Sequence, residues 1–345
     1  TLVRGDTYYI ADGSYPSYTV DDAVSGTLVI TIKKATVSEH GTDTGWNSSY
    51  GDGQAVFYPF YIVTSYVVFD GVIGSGSDVN SYGFRIVYPS NCAMGHRLFG
   101  MPPGGYFTLN MTDITVSHLA IENCGDSYDY VQVGIYSNPG EGRNITISHN
   151  LFKNGNSNIL YRNWIDSTIS DNYFDGNWSS GANHGTQISS GSHDGYESTN
   201  VTIKNNIFVN SYGTAVLSVH REKNKTHKIF NNLIIGGSIS FGFGSGDTSG
   251  VQDVTKQFEV HHNTFANVIL GGQGALFVGN LTGVANDKSF AYNNLFYNVK
   301  NPNFGNYGYT SGAIVHTHNA HFNSTGTYDS SEGGTAVNTT GDPFV

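Results

Sequence analysis

Charged side chains are scarce in this chain, since only 12% of its 345 residues are Asp, Glu, Lys or Arg. Acidic residues outnumber basic ones, and the net charge of −11 makes the chain a poor ligand for nucleic acid or an anionic membrane surface. No apolar run reaches the roughly 18 residues of a membrane-spanning helix. Lys, Glu and Leu are few, whereas Gly, Tyr and Phe number 44, 23 and 20, which favours strands and turns over helices.

Familiar chemical motifs are also missing. The sequence contains no P-loop, no G-x-S-x-G, no CxxC and no dinucleotide fingerprint. Its two cysteines, Cys92 and Cys124, are either a disulfide or two buried thiols. The chain begins at Thr1 rather than Met, which predicts a mature or trimmed product. A disulfide would support an extracellular setting, and Asn-x-Ser/Thr sequons such as Asn144 are potential glycosylation sites, so we expect an extracellular or cell-surface glycoprotein.

What the chain does have is a degenerate repeat, apolar-x-x-Asn-x-Phe. The Asn position is occupied by Asn150, Asn172, Asn206, Asn232, Asn263 and Asn294. The Phe position is occupied by Phe152, Phe174, Phe208, Ile234, Phe265 and Phe296, with Ile73 and Ile121 extending the series toward the N-terminus. A recurring block of this size predicts a stacked architecture, and its in–out alternation predicts one short strand per block.

The repeat assigns a role to each of its positions. Asn side chains stacked at one corner can hydrogen-bond above and below and tolerate left-handed turns, while the Phe residues form a core column. A second set of strands follows the Asn blocks: GFRIVYP, YVQVGIYS, NILYRNW, GTQISSG, GTAVLSVHR, GSISFGFG, GALFVGN and GAIVHTH. Most of these begin at a glycine, such as Gly83 or Gly237, which suits a corner with positive φ. We therefore predict an all-β solenoid, a single-stranded parallel β-helix of one domain.

These blocks resemble the right-handed parallel β-helix superfamily, which includes pectate lyases, the chondroitinase B and alginate lyase family, and phage tailspikes. The resemblance covers about residues 60–345, and the closing GDPFV is similar to the segment that often ends such chains. It implies a right-handed coil, and right-handed crossovers are also the general rule for parallel strands. We expect residues 1–60 to form the opening strand, a cap and a long loop around Trp46 and Tyr50. Residues 61–345 are then expected to form eight or nine coils.

A candidate site lies on three successive strands of residues 160–222. We predict that Tyr161, Arg162, Trp164 and Gln187 bind substrate and that His184, His193, His220 and Arg221 are catalytic. Neighbouring strands lie ~4.8 Å apart, so such residues can line a groove ~10 Å long. An arginine neutralises a carboxylate and a neutral imidazole accepts a proton near pH 7, which together suit proton abstraction from a sugar. The alternative is that these residues are ordinary surface side chains.

Within the chondroitinase B and alginate lyase family, one coil carries an acidic calcium ligand and a catalytic Lys, and the next carries an Arg. GTQISSGS resembles the first segment and GTAVLSVHR the second. Gln187, however, stands near the expected Glu, and residues 190–192 contain no Lys, so that family's base is not matched. No metal ligand is assigned. Calcium is considered only for the loop at Asp247 and Asp253, and a His316–His318 metal pair in HTHNAH is a weaker idea.

Two functions remain open from the sequence. The first is an extracellular protein that binds or acts on a polysaccharide or another glycan, as a lyase or hydrolase. The second is a non-catalytic structural or adhesive subunit whose β-helix is a stable rod that self-associates. A groove with convergent titratable groups favours the first, whereas flat stacked faces favour the second.

Overall fold

The computed structural model describes residues 1–58, 60–87, 97–99, 110–122, 133–136, 141–155, 157–177, 185–191, 198–211, 216–220, 226–241, 257–268, 275–278, 289–300, 314–324 and 337–339. In these ranges the chain is built of short strands, with two single-turn 3-10 helices at Ser48–Tyr50 and Val79–Ser81. All strand pairs are parallel, and each strand pairs with its equivalent one coil earlier and later. Among the described residues no helix is long and apolar enough to cross a membrane.

Sheet A is the first strand of each coil. It runs in the order β1 (Thr7–Ile10), β4 (Ile30–Lys34), β7 (Val67–Asp70), β10 (Met111–Ser117), β13 (Gly142–Ser148), β17 (Thr168–Ser170), β20 (Val201–Lys204), β23 (Thr226–Phe230), β26 (Gln257–His261), β29 (Ser289–Tyr292) and β31 (Ile314–Thr317), with β16 (Trp164–Ile165) beside β13.

Sheet B follows sheet A through a tight turn. Its strands are β2 (Gly13–Tyr15), β5 (Ala55–Phe57), β8 (Phe84–Ile86), β11 (Leu119–Glu122), β14 (Leu151–Gly155), β18 (Tyr173–Asn177), β21 (Ile207–Ser211), β24 (Leu233–Ile235), β27 (Thr264–Ala266), β30 (Leu295–Tyr297), β32 (Ala320–Phe322) and β33 (Val337–Thr339).

Sheet C completes the coil. It consists of β9 (Arg97–Phe99), β12 (Val133–Tyr136), β15 (Ser157–Tyr161), β19 (Thr186–Gly191), β22 (Leu217–His220), β25 (Ile239–Phe241) and β28 (Leu276–Val278), and a two-stranded sheet at the N-terminal end pairs β3 (Tyr18–Val20) with β6 (Phe60–Ile62). Three parallel sheets wound in this order make a parallel β-helix, as the sequence predicts.

A column of asparagines holds the turn between sheets A and B. Seven buried asparagines stack along the axis, and each of the first six donates from Nδ2 to Oδ1 of the next at 2.9–3.1 Å: Asn150, Asn172, Asn206, Asn232, Asn263, Asn294 and Asn319. The left-handed backbone, however, belongs to the preceding residue. His149, Asp171 and Asn205 have φ between 56° and 59°, so the asparagines of the column do not carry the positive φ. Asn, Asp and His tolerate that region better than most side chains do.

The Phe positions form a stacked core column on sheet B. Phe152, Phe174 and Phe208 lie with ring centroids 4.9 Å and 4.7 Å apart and nearly parallel planes. Ile121 belongs to this column because it pairs with Phe152. Ile73 does not: it is exposed, and Ile86 takes its place. The chain between β7 and β8 includes a 3-10 helix, which shifts the column position beyond Ile73.

Two of the eight segments assigned to the second strand set lie elsewhere. GFRIVYP contains β8 of sheet B, and GAIVHTH contains β31 of sheet A. Positive φ is also not the reason for the glycines at Gly83 and Gly237. A Cβ on Gly83 would lie 2.0 Å from the carbonyl oxygen of Gly71, and one on Gly237 would lie 2.2 Å from Val216 Cγ1. These glycines are required by close packing between chain segments.

The N-terminal residues contain coils of their own. In the described part of sheet A, nine strands from β7 onward lie in residues 61–345, while β1 and β4 lie in residues 1–60. The loop before β5 carries Trp46, which stacks on His40 at 4.1 Å and meets Tyr50 edge-on at 5.8 Å. The carbonyl of Tyr50 accepts a hydrogen bond from the Asp12 amide, which fastens the loop to the first coil.

Candidate functional site

The strands of the predicted groove are neighbours in sheet C. Tyr161 of β15 pairs with Ser190 of β19, and Gly191 of β19 pairs with His220 of β22. One residue beyond Tyr161, the half-buried Arg162 follows the end of β15. Arg162, Gly191 and His220 therefore come at equivalent places on three successive rungs. Adjacent rungs lie ~4.8 Å apart, so the row spans ~10 Å.

Two aromatic residues of the predicted site lie inside the coil. Tyr161 is fully buried and Trp164 is 2% exposed. Their rings stack on each other at 5.0 Å, and both belong to the hydrophobic core. The placement of Tyr161 and Trp164 on a surface is therefore corrected, because neither ring is open to a sugar.

Gln187 is also interior. Its side chain is fully buried, and its Oε1 accepts a hydrogen bond from Nδ2 of Asn158, which is equally buried in β15. Gln187 does not share a row with Arg162, because the register of β15 and β19 puts Gln187 beside Asn158, four residues before Arg162.

The buried side chains of this coil also test whether it can bind calcium, which the resemblance implies here. Gln187 and Ser190 are fully buried, and the described part of the segment, residues 185–191, supplies no carboxylate. Calcium is bound by several oxygen ligands, mostly carboxylates, carbonyls and waters. The described residues of this segment do not fit such a site. Asp247 and Asp253, considered for a loop calcium, lie outside the described residues, as do Cys92 and Cys124.

The outward positions of the groove are Leu160, Arg162 and Ser189, all half-buried and alternating with buried neighbours. His184, His193 and Arg221 lie outside the described residues. The backbone of His220 is described as the last residue of β22. Of the predicted site residues, Arg162 is thus the one whose side chain is described and lies at the surface.

A second polar cluster surrounds Asp70 at the turn from sheet A to sheet B. Its Oδ1 accepts hydrogen bonds from Ser117 Oγ at 2.9 Å, the Val72 amide at 2.8 Å and, in one tautomer, His118 Nδ1 at 2.7 Å. The His118 ring stacks on His149 at 5.1 Å. Burial opposes ionisation of Asp70, but these hydrogen bonds outweigh it and hold the pKa of its carboxyl below the ordinary value.

Asp70 gives a prediction on acid stability. Asp70→Asn should lower the free energy of unfolding by about 1.5–3 kcal/mol near neutral pH, because it weakens hydrogen bonds to a charged acceptor. A carboxyl with a depressed folded-state pKa stabilises the fold above its unfolded-state pKa and loses this effect as pH falls through the folded-state pKa. Urea unfolding at a series of pH values should therefore show the two proteins converging in acid. Asp171→Asn is the control, since Asn205 occupies the place equivalent to Asp171 one coil later. A difference in free energy of unfolding between Asp70→Asn and the unmodified protein that stays constant at all pH values would contradict the prediction.

A third cluster lies at the same turn, six coils after Asp70. His261 lies between Phe230 and Tyr292 with ring centroids 4.9 Å from each and planes within 10°. Its Nδ1 is 2.9 Å from Nδ1 of His262, which has φ 56° and is exposed. Burial and the neighbouring His262 lower the pKa of His261. Because strand neighbours point to opposite faces, the sequence predicts that these two rings diverge. That prediction is wrong, since the left-handed turn at His262 brings the rings together.

The HTHNAH segment is a seventh copy of the repeat. Asn319 ends the described asparagine column, and the other repeat positions are filled by the buried His316 and His321. His321 stacks on Phe296 at 5.0 Å, as a Phe would. His318 is exposed at φ 58°, so it does not share the inward direction of His316. Histidine at two apolar positions concealed this repeat in the sequence.

Solved structures with a similar architecture are known. A mannuronic acid specific polysaccharide family 6 lyase from human gut microbiota is similar over 98% of this chain and 78% of its own, with 14% identity and a TM-score of 0.50. The fold is a right-handed parallel β-helix. At this identity the likeness concerns the fold alone.

Other similar structures agree less closely. The PL6 family alginate lyase AlyGC is 13% identical with a TM-score of 0.42, covering 98% of this chain, which spans about half (51%) of that lyase's length. DFA-IIIase from Arthrobacter chlorophenolicus A6 is 12% identical with a TM-score of 0.46, over 93% of this chain and 74% of its own. No protein-family model matches the sequence, and neither does any curated protein.

Proposed function

We propose that this protein is a carbohydrate-active β-helix protein that binds a polysaccharide along the outer face of sheet C. The observation that supports the proposal is the pairing of β15, β19 and β22, which gives Arg162, Gly191 and His220 equivalent places on successive rungs. Because Gly191 has no side chain, the rung between Arg162 and His220 adds no side-chain bulk to this row.

The chemistry of these residues favours a sugar that carries a carboxylate. A guanidinium binds a carboxylate through two parallel hydrogen bonds, and Arg162 and Arg221 are the arginines of this segment. His184, His193 and His220 are the candidates for proton transfer, because imidazole titrates close to neutral pH. The solved structure with the TM-score of 0.50 is named as a mannuronic acid specific lyase, which supports a uronic acid polymer as the first substrate class to test. A lyase or hydrolase outside the cell or at its surface is part of the same proposal.

Arg162→Ala should reduce release of new chain ends from a uronic acid polysaccharide at least about tenfold, because it removes a charge-assisted contact to the carboxylate. The assay is a panel of neutral and uronic acid polysaccharides, with reducing ends and unsaturated ends measured separately. Arg143→Ala is the matched control: Arg143 is an exposed arginine on sheet A, where it pairs with Glu141 and Asp166. Equal losses in both variants would refute the assignment of the groove to Arg162.

A structural rod is the second candidate, and one observation favours it. The outer face of sheet B carries half-buried apolar side chains at one position on three of four successive rungs, Ile207, Leu233 and Leu295, with Thr264 between the last two. Tyr297 and Phe322 stack on the same face at 5.2 Å. The rod is the better description if the folded protein releases no chain ends and its migration is not slowed in gels that contain polysaccharide. Sedimentation should then show concentration-dependent association.

A further inference from the structure

We propose that His261 and His262 form a binding site for a divalent transition-metal ion of the Cu²⁺ or Ni²⁺ class, held through the two Nδ1 atoms. The site lies on sheet A at its turn into sheet B, away from the sheet C groove, and its argument is independent of the proposed glycan binding. It consists of two imidazoles, with water completing the coordination.

The separation of the two nitrogens fits this assignment. The Nδ1 atoms are 2.9 Å apart. Two nitrogens each ~2.05 Å from one metal ion, at an angle of roughly 90°, are also about 2.9 Å apart, since metal–imidazole bonds measure 2.0–2.1 Å. Cis nitrogens at right angles are the arrangement of a tetragonal ion, and imidazole suits Cu²⁺ and Ni²⁺.

Packing holds one ligand in place and leaves the other open to solvent. His261 is fixed between the Phe230 and Tyr292 rings, whose planes lie within 10° of its own. The exposed His262 ring stands at 87° to the His261 ring and 82° to the Tyr292 ring. An ion bound by both Nδ1 atoms would thus have one ligand held by packing and one exposed to solvent.

A neighbouring amide can support the second ligand. The Asn293 side chain lies 3.4 Å from His262 Nε2. A ring that binds metal through Nδ1 keeps its proton on Nε2, and turning the Asn293 amide over presents its oxygen to that proton. Such contacts to the far nitrogen orient metal-binding histidines. The nearby charges are balanced, because Lys228 and Glu259 are cross-strand partners next to His261.

The chain itself offers matched substitutions at both positions. Phe230 and Tyr292 occupy the place of His261 on the adjacent rungs, so His261→Phe preserves the stack. Asn231 and Asn293 have positive φ at the place of His262, so His262→Asn preserves the turn. His149→Asn is the control: it removes a histidine from the same kind of left-handed turn, four coils before His262, where the ring stacks on His118.

The experiment is calorimetric titration of the whole protein with Cu²⁺ in a non-chelating buffer, with electron paramagnetic resonance of the one-equivalent complex. We expect one site per chain whose affinity falls roughly tenfold or more in His261→Phe and in His262→Asn, the usual scale for damage to a metal site. His149→Asn should bind as the unmodified protein does. The spectrum should show two nitrogen ligands, and it should lose one in each single variant.

Three outcomes would overturn the proposal. Binding in the His261→Phe/His262→Asn double variant as tight as in the unmodified protein would place the ion elsewhere. An equal loss in His149→Asn would show general binding to surface histidines. The unmodified protein alone supplies a further test that needs no variant: a spectrum with fewer than two nitrogens would mean that His261 and His262 are only a hydrogen-bonded pair.

Discussion

Asn206→Ala is expected to lower the free energy of unfolding by about 3–6 kcal/mol, because several buried polar groups lose their partners and each costs roughly 1–3 kcal/mol. Asn206 is fully buried, and its Oδ1 accepts from both the backbone and side-chain amides of Asn172. Its Nδ2 donates to Asn232 Oδ1 and to the Ile169 and Lys204 carbonyls. Alanine leaves these groups inside the coil without a replacement.

Two further variants isolate the cause. Asn206→Asp keeps the size and the acceptors but removes the donors, and it should destabilise at least as strongly because a buried charge then faces carbonyl oxygens. Asn205→Gly is the control one residue away: Asn205 is exposed, has φ 56° and donates to Asp171 at 3.0 Å. Glycine accepts positive φ without strain, so we expect a change below about 1 kcal/mol.

Urea unfolding and amide hydrogen exchange measure the effect together. Coils contact mainly their neighbours, so the loss need not spread evenly along a solenoid. Exchange of the Asn172 backbone amide, which donates to the Asn206 side chain, should accelerate most, whereas the amide of residue 206 keeps its acceptor on Asn232. A loss in Asn206→Ala no larger than that in Asn205→Gly would mean that the asparagine column does not hold the turn.

The fold was predictable where one residue type marks each coil. Asn150 to Asn294 recur because each amide must meet the amide of the next coil, and this requirement is visible as spacing in the sequence. Residues 1–60 lack that marker, so the coils that contain β1 and β4 were not predicted from the sequence. The copy at Asn319 was missed for another reason, since His316 and His321 fill positions that a pattern of apolar residues excludes.

The site was less predictable than the fold because it depends on parity within a strand. The strands β15, β19 and β22 are neighbours as predicted, yet Tyr161 and Gln187 are buried while the next residue after Tyr161, Arg162, lies at the surface. A shift of one residue moves a side chain to the opposite face. Polar residues such as Asn158 and Gln187 bond each other inside the coil, so polarity did not reveal which positions are outward.

His261 and His262 show that side-chain direction is also hard to predict at a turn. Alternation along a strand separates adjacent side chains, and this holds only while the backbone stays extended. His262 is the residue with positive φ that ends the strand, so its ring returns toward His261. The signal was present in the sequence, because His262 immediately precedes Asn263 of the repeat, and this position is left-handed in coil after coil.

Phe174→Ala should cost about 3–5 kcal/mol, the usual range for removing a buried aromatic ring and leaving a cavity. Phe174 has no exposed surface and lies between Phe152 and Phe208, so the cavity is closed by rings on two adjacent coils. Those rings are set by their own strands and cannot both move into the space. Phe174→Leu should cost less, because it leaves a smaller cavity.

Tyr173→Ala provides the control within the same strand. Tyr173 is half-buried on the outer side of β18, so its removal should cost clearly less than the loss of Phe174. A double-mutant cycle between Phe152 and Phe174 should give a coupling of about 0.5–1.5 kcal/mol, the value expected for stacked aromatic pairs beyond their burial. Equal costs for Phe174→Ala and Tyr173→Ala in urea unfolding would contradict a core column. The expected coupling would show that stacking between coils stabilises the fold beyond burial alone.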